Sequence, residues 1–299
     1  MKRPDFFIVG AFKAGTTSLY EYLRQHPAVF MPFHKEPMYF GADLDARYRR
    51  MTEAEYLALF ADARADQRVG EASPWYLYST SAAAEIQAFS PGAQAIVMLR
   101  NPVDVMYAQH SQLLFNQRED LADFADALAA EPDRRAGRRI PRAALRREAL
   151  FYRHSVGFAD QLQRYLNIFG PERVHVIVHE DLRDDPAAVV RDTFAFLGVD
   201  QDVAVNLAVQ NANRRPRSGL LQRLIFQPPG PLRAVVPALR RLPLVHRLRD
   251  ALVTANSRPE ARAPMDPDLR RRLTAELAPE VQRLGRLIGR DLSTWSEPA

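Results

Sequence analysis

The chain of 299 residues contains no cysteine, which excludes disulfide bonds, thiolate nucleophiles and metal sites built on cysteine. It also lacks an apolar run long enough to cross a bilayer, and the five residues before Phe6 are too few for a signal peptide. We therefore expect a soluble cytoplasmic protein. The net charge of +5 is too mild to predict nucleic-acid binding, and no cluster of ligand residues predicts a metal site.

Lysine is scarce as well: only three of the 41 basic residues are lysine, at positions 2, 13 and 35. A lysine ammonium is a mobile point charge, whereas an arginine guanidinium is a rigid fork. Lys13 and Lys35 both fall within motifs described below. The hydrophobic content of 47% is ordinary for a globular protein, and we predict a single domain over residues 1–299.

Short apolar segments alternate with amphipathic ones along the chain. The segments that favour strands are 6–9, 68–70, 95–99 and 174–178, and those that favour helices are 17–25, 53–63, 81–89 and 156–169. Strands that alternate with helices predict an α/β fold with a central parallel sheet flanked by helices. Ligands of such sheets bind at the carboxyl ends of the strands.

Two segments depart from this alternation. Residues 116–150 are charged and rich in alanine and arginine, and we interpret them as a helical insertion or lid. Residues 211–265 hold much of the proline and predict an irregular basic segment over the site. Asp266 and Pro267 then open an amphipathic helix, in which we expect Pro279 to kink or split the run.

The residues after the first strand have the composition of an anion-binding loop. Gly10 ends the apolar run, a short loop follows, and a helix begins near Thr16. The free N–H groups and the positive end of a helix dipole favour a phosphate at such a place. The candidate binding residues are Lys13, Ala14, Gly15, Thr16, Thr17 and Ser18.

The order of residues in this loop distinguishes two nucleotide-binding classes. A Walker A loop has its lysine directly after the glycine, whereas Lys13 precedes Gly15. A P-loop kinase that uses ATP and Mg²⁺ is therefore the weaker alternative. The chain also lacks the Walker B aspartate that such a kinase needs. The segment from Phe12 to Ser18 resembles the 5′-phosphosulfate loop of sulfotransferases that use 3′-phosphoadenosine 5′-phosphosulfate (PAPS).

The resemblance implies a P-loop NTPase-like sulfotransferase fold, PAPS as the donor, no metal and Lys13 as a catalytic residue. Arg100-Asn-Pro-Val-Asp104, after the strand at 95–99, resembles the motif that binds the 3′-phosphate of the nucleotide in this family. The family's serine eight residues after that arginine is replaced by Ala108, and Ser111 lies one helical turn further on. By the same resemblance, a basic loop closes over the 3′-phosphate with Arg217, Ser218 and Gly219.

A second motif, His34-Lys35-Glu36-Pro37, resembles the segment that supplies the catalytic glutamate of heparan-sulfate and related carbohydrate sulfotransferases. The resemblance implies that Glu36 is the general base on the acceptor hydroxyl and that Lys35 favours its ionised form. His34 is a competing base, because cytosolic small-molecule sulfotransferases use histidine.

A third motif, Gly70–Tyr76, resembles a segment of bacterial sulfotransferases that faces the sulfuryl group. Carbohydrate sulfotransferases of animals have a lysine where this chain has Ala72. Ser73 is either a hydrogen-bonding residue of the site or a helix N-cap ahead of Pro74. Glu180 and Asp181 are interpreted as structural residues, and residues 284–295 as packing.

The predicted activity is transfer of a sulfuryl group from PAPS to an acceptor hydroxyl. Carbohydrate, lipid-linked glycan and secondary metabolite all remain open as acceptors. A non-enzymatic alternative is a protein that binds PAPS or its product, adenosine 3′,5′-bisphosphate (PAP), with little turnover. Ala72 and Ala108, two departures from the family pattern, are the residues that favour it.

Overall fold

The computed structural model describes residues 2–45, 50–208, 214–226, 251–260 and 262–297. The chain divides into two compact units. One comprises Met1–Met106, Arg153–Asn211 and Pro267–Ala299, and the other comprises Tyr107–Tyr152 and Ala212–Asp266. The single domain expected from the sequence stays a prediction, as does the interpretation of 116–150 as a lid.

The first unit is built on a five-stranded sheet in which every pair of strands is parallel. The strands are β1 (Phe6–Gly10), β2 (Val29–Phe30), β3 (Arg68–Ala72), β4 (Gln94–Leu99) and β5 (Val174–Val178). Their order across the sheet is β2-β3-β1-β4-β5. The predicted parallel α/β fold is confirmed, and β5 has the predicted bounds. β3 runs two residues beyond its predicted end.

Burial explains why the central strands lack polar alternation. Every residue of β1 is buried, and so are the last five residues of β4, because helices cover both faces of a parallel sheet. Gly70 in β3 is required by packing: a Cβ atom there would lie 2.2 Å from the Phe6 ring. The absence of a side chain at Gly70 leaves room for the ring of Phe6, its register partner in β1.

Twelve helices are named here in chain order. They are α1 (Thr16–Leu23), α2 (Glu53–Ala58), α3 (Ala82–Phe89), α4 (Pro102–Phe115), α5 (Phe124–Ala129), α6 (Glu131–Arg135), α7 (Tyr152–Ser155), α8 (Phe158–Phe169), α9 (His179–Asp184), α10 (Pro186–Leu197), α11 (Gly219–Phe226) and α12 (Pro267–Ile288). Residues 251–255 are also helical. Short 3₁₀ turns occupy Arg147–Leu150, Pro171–Arg173 and Ser293–Trp295.

Two helix predictions need correction. The helix expected over 53–63 ends at Ala58, and turns follow it. The predicted split at Pro279 is wrong, because α12 is continuous from Pro267 to Ile288, whereas a kink at Pro279 stays a prediction. Leu277 and Val281 are buried on either side of Pro279, so packing holds the helix together where one backbone hydrogen bond is missing.

The described part of the basic segment 211–265 is more regular than predicted. Strand β6 (Arg214–Pro216) pairs antiparallel with β7 (Ser257–Pro259) in the second unit, and α11 follows β6. The Asn256 amide donates to the Ser218 carbonyl at 3.1 Å and to the Gln222 side chain at 2.9 Å. The prediction of an irregular segment was wrong there, because the pairing joins residues about forty positions apart and leaves no local pattern.

A buried ion pair lies in the described part of the second unit. The Arg134 guanidinium donates to both oxygens of Glu119, at 2.7 and 2.6 Å, and the Tyr152 hydroxyl donates to Glu119 at 2.6 Å. Both charged side chains are fully buried. Burial alone would raise the pKa of Glu119, but the hydrogen bonds from Arg134 and Tyr152 outweigh it and hold that pKa well below its usual range.

Candidate active site at the carboxyl edge of the sheet

Three predicted site residues follow three different strands of the first unit. Lys13 comes after β1, Glu36 after β2 and Arg100 after β4. Because all five strands are parallel, their carboxyl ends lie at one edge of the sheet, here named the carboxyl edge. The fold therefore brings these residues to the same edge, as the sequence predicts.

The loop between β1 and α1 leaves backbone donors open at the start of the helix. Gly15, with φ of 99°, is the N-cap residue of α1, and no side chain caps the helix. The N–H groups of the first helical turn, which begins at Thr16, have no partner within the helix. The N–H of Ala14 differs, because it donates to the Ala11 carbonyl at 3.3 Å inside the loop.

The side of this loop that faces the sheet is closed by packing. A Cβ atom at Gly15 would meet Leu182 at 3.1 Å and Met98 at 3.3 Å, and its positive φ adds backbone strain to any substitution. His179, the first residue of α9 directly after β5, has its Nδ1 3.3 Å from the Ala14 carbonyl oxygen. Burial, with a contribution from the charge of Arg100, lowers the pKa of His179. No role was predicted for His179 from the sequence.

Arg100 and the Lys13 loop are in direct contact. Nη1 of Arg100 donates to the Lys13 carbonyl oxygen at 3.1 Å. The guanidinium, the Lys13 loop and the start of α1 thus form one positive region at the carboxyl edge, which is suited to an anionic ligand with more than one phosphate. The Phe12 ring stacks on Trp75, with centroids 4.5 Å apart, and so joins the loop to the segment after β3.

The C-terminal residues close the carboxyl edge beyond β4 and β5. Asn101 donates to the Trp295 carbonyl at 3.1 Å, and the Trp295 indole donates to Glu180 at 3.1 Å. Arg290 forms an ion pair with Asp181. Glu180 and Asp181 therefore have the structural contacts expected of them.

Three of the predicted nucleotide-binding residues belong to the second unit. The backbone N–H of Arg217 donates to the Asn256 carbonyl at 2.6 Å, and that of Ser218 to the Asn256 side chain at 3.0 Å. Gly219 is the first residue of α11. The role of all three toward the 3′-phosphate stays a prediction. In the same unit Ser111 donates to the Tyr107 carbonyl of its own helix, at 2.9 Å.

Glu36 lies on an exposed turn held against the end of β3. Its backbone N–H donates to the Ala72 carbonyl at 3.0 Å, and its carboxylate is 2.6 Å from the Lys35 ammonium. The side chain is 45% exposed, so a substrate can reach it. His34 is exposed on the same turn. The choice of Glu36 over His34 as the base stays a prediction.

A buried carboxyl group, which the sequence analysis did not assign, lies behind this turn. Glu71 at the end of β3 is fully buried, and its Oε2 accepts hydrogen bonds from Tyr56 at 2.7 Å and Tyr76 at 3.2 Å. Burial raises the pKa of Glu71 to about 7 against the opposing effect of the hydroxyls of Ser73, Tyr56 and Tyr76. Ser73 caps no helix, since turns follow Pro74, and its hydroxyl instead accepts from a backbone N–H of the Glu36 turn.

The described residues lack two further kinds of site. No group of three or more His, Asp or Glu side chains there is arranged to hold a metal ion. Along the same residues, no helix combines the length and the apolar character needed to span a bilayer.

Comparison with known proteins assigns the chain to a family. The model of the sulfotransferase family matches residues 4–202, and the chain belongs to that family. The crystal structure of a sulfotransferase from Alicyclobacillus acidocaldarius is similar over 99% of this chain and 100% of that one, with 33% identity and a TM-score of 0.74. The predicted sulfotransferase fold is confirmed, and the kinase alternative is wrong.

Curated relatives are similar over a shorter range. Human heparan sulfate glucosamine 3-O-sulfotransferase 6 is 29% identical over 213 residues, which are 67% of this chain and 54% of that protein. Mouse carbohydrate sulfotransferase 15 is 28% identical over 269 residues, or 71% of this chain and 48% of that protein. The chain spans about half the length of these relatives.

Proposed function

We propose that the protein transfers a sulfuryl group from PAPS to an acceptor hydroxyl. The observation that carries this proposal is the contact between Arg100 and the Lys13 loop beside the uncapped start of α1. The donor set fits the ligand: Lys13 and the N–H groups of the first turn of α1 suit the 5′-phosphosulfate, and Arg100 suits the 3′-phosphate. When bound, PAPS supplies the sulfuryl group and a 5′-phosphate as its leaving group.

Each residue at the carboxyl edge has a distinct task in this reaction. Glu36 accepts the proton of the acceptor hydroxyl as that oxygen bonds to sulfur. The bond from sulfur to the 5′-phosphate oxygen breaks, and Lys13 with the first-turn N–H groups stabilises the charge that develops on that oxygen. Lys35, 2.6 Å from Glu36, orients the carboxylate. The rate acceleration comes from positioning of the acceptor and the donor and from stabilisation of the charge that develops on the leaving oxygen.

A carbohydrate hydroxyl is the acceptor class that the comparisons favour, since the curated relatives are named for heparan sulfate and carbohydrate. Lipid-linked glycans and secondary metabolites are the other acceptor classes expected from the sequence. The proposed partners are therefore small molecules or glycans, without nucleic acid or a required metal. The cytoplasmic location expected from the sequence belongs to the same proposal.

Replacing Lys13 by alanine tests the donor site. We expect kcat to fall by about 10²–10³, as for loss of one oxyanion donor, with a smaller loss of PAP affinity. The measurements are transfer of radiolabelled sulfate from PAPS to de-O-sulfated heparan sulfate or to extracts of the source organism, and calorimetry with PAP. Lys2→Ala is the matched control, because Lys2 donates to the carbonyls of Ala65 and Gln67.

The outcomes of this experiment separate the alternatives. An unchanged kcat in Lys13→Ala contradicts the role of Lys13. Heat from PAP binding without sulfate transfer by the wild type indicates the weakly active binding protein. Failure to bind PAP contradicts the proposed donor.

The identity of the base is tested separately. Glu36→Gln is expected to lower kcat by about 10²–10⁴, the usual contribution of general base catalysis, and His34→Asn is expected to change it little. The reverse ranking assigns the proton transfer to His34. Calorimetry with PAP shows whether either variant has lost the donor site instead.

A further inference from the structure

Three successive backbone N–H groups in the residues after Glu36 donate hydrogen bonds to two side-chain hydroxyls. The N–H of Met38 donates to Ser73 Oγ at 3.2 Å, and those of Tyr39 and Phe40 donate to the Tyr76 hydroxyl at 2.9 and 3.2 Å. Both hydroxyls belong to the segment after β3. The residues that follow the proposed base are therefore fixed by side chains of the segment after β3.

This fixation is needed because the turn is strained. Glu36 has φ of 61° and Met38 has φ of 53°, with Pro37 between them. Residues other than glycine enter this left-handed region at an energetic cost, and they stay there only where surrounding contacts hold them. The hydrogen bonds to Ser73 and Tyr76 are such contacts.

The hydrogen bond to Glu71 determines which other hydrogen bonds the Tyr76 hydroxyl can form. A tyrosine hydroxyl has one proton, and that of Tyr76 goes to Glu71 Oε2 at 3.2 Å. The oxygen of Tyr76 is then left to accept the N–H groups of Tyr39 and Phe40. Tyr56 donates to the same oxygen of Glu71, and its ring stacks on that of Tyr39 with centroids 4.2 Å apart.

Burial of the Glu71 carboxyl lowers the stability of the fold. Glu71 is fully buried, and its Oε1 accepts no hydrogen bond from the residues that the structure describes. A buried polar atom without a partner destabilises a protein, so an apolar side chain would serve the core better. The charge of Glu36 contributes to the raised pKa of Glu71, which means that the two carboxyls lie within electrostatic reach of each other.

We infer that Glu71 is a positioning residue for Glu36, acting through Tyr76 to hold the strained turn that presents the Glu36 carboxylate at the carboxyl edge. The inference rests on the proposed function for its catalytic consequence. The positioning itself is a property of the folded chain and can be measured without any acceptor.

Glu71→Leu and Tyr76→Phe are the informative variants. Leucine removes the acceptor for the Tyr76 proton, and phenylalanine removes the hydroxyl that accepts from Tyr39 and Phe40. We expect each to speed amide hydrogen exchange in residues 38–40 at least tenfold, with exchange in β1 and β4 unchanged. We also expect each to lower kcat at least tenfold with the Kd for PAP within twofold.

Two conservative variants make the test specific. Glu71→Gln keeps an oxygen that accepts from both tyrosines, so exchange in residues 38–40 and kcat should return to within about threefold of the wild type. Tyr56→Phe removes a hydrogen bond to the same carboxyl oxygen without touching the backbone of residues 38–40. It should leave kcat within twofold.

The inference is overturned if Glu71→Leu and Tyr76→Phe leave exchange in residues 38–40 unchanged. It is also overturned if exchange rises across the whole sheet and PAP affinity falls with kcat, because Glu71 is then only a core residue. If Glu71→Leu does not fold, unchanged exchange in Tyr76→Phe still overturns the inference, because Glu71 is inferred to act through Tyr76. Faster exchange in a protein whose wild type transfers no sulfate supports the positioning and contradicts the proposed reaction, so the two failures are distinguishable.

Discussion

Glu119 in the second unit and Glu71 in the first are both buried carboxyl groups that accept a tyrosine hydrogen bond, at 2.6 and 2.7 Å. They differ in their other partners. Glu119 receives two hydrogen bonds from the Arg134 guanidinium, whereas Glu71 receives a second bond from the neutral Tyr76 hydroxyl and leaves one oxygen without a described partner. The pKa of Glu119 is lowered, and that of Glu71 is raised to about 7.

This difference distinguishes a buried carboxyl with a structural role from one that supports the candidate site. A bidentate arginine compensates the burial of Glu119, so the pair acts as a fixed cross-link between α6 and the residues before α5. Hydroxyl groups compensate the burial of Glu71 only in part, so its ionised form destabilises the fold. The costly carboxyl is the one behind the candidate base.

Breaking the charged pair is expected to have the largest effect on stability. Glu119→Gln removes the buried counter-charge of the Arg134 guanidinium and leaves it an ionic contact of 3.3 Å with the exposed Asp120 carboxylate. The free energy of unfolding should fall by about 3–5 kcal/mol. Urea denaturation of the full chain measures it. Arg138→Gln, which removes an exposed ion pair in the same unit, should change stability little. Equal losses in both variants would contradict the comparison.

The pH dependence of stability should differ in sign between the two carboxyls. Glu71 has its pKa raised from 4.5 to about 7 by folding, so the folded protein binds a proton more tightly than the unfolded chain. The contribution of Glu71 to the free energy of unfolding therefore falls as pH rises from about 4.5 to 7, by roughly 3 kcal/mol in all. Above pH 7 this contribution is constant. Glu119, with a lowered pKa, contributes fully above its unfolded pKa and loses that contribution only in stronger acid.

Variants isolate these contributions from the other titrating groups. The difference in unfolding free energy between wild type and Glu71→Gln should change steeply between pH 4.5 and 7, in favour of the variant at the higher pH. The same difference for Glu119→Gln should be flat between pH 5 and 8. If this difference varied with pH in the same way for both variants, the pKa of Glu71 would not be raised in the folded protein.

Removing one tyrosine hydroxyl from each cluster gives the smallest expected effects. Tyr152→Phe should cost about 2 kcal/mol at any pH from 5 to 8, because Glu119 stays ionised and hydrogen bonds to charged groups are strong. Tyr56→Phe should cost about 1 kcal/mol at pH 5, where Glu71 is neutral, and more at pH 8. Thermal or urea unfolding at both pH values checks this. A Tyr56→Phe penalty that does not grow with pH would contradict the raised pKa.

The sequence predicted the parts of the site that depend on local order. The Lys13 loop, the strand before Arg100 and the turn after β2 each carry their signal within a few residues. The Glu71 cluster could not be predicted, because Tyr56 precedes Glu71 by 15 positions and Tyr39 precedes Tyr76 by 37. Those contacts depend on which strands become neighbours. The pairing of β6 with β7 was missed for the same reason.

The contact between Asn101 and Trp295 has a consequence for the timing of folding during synthesis. The two residues are 194 positions apart, and Asn101 directly follows Arg100. The strands and the Lys13 loop leave the ribosome long before Trp295 does. Asn101, beside Arg100, therefore lacks this partner until synthesis has advanced 194 positions beyond it. A nascent chain can form the sheet early, but it completes the carboxyl edge only when α12 and the turn after it have emerged.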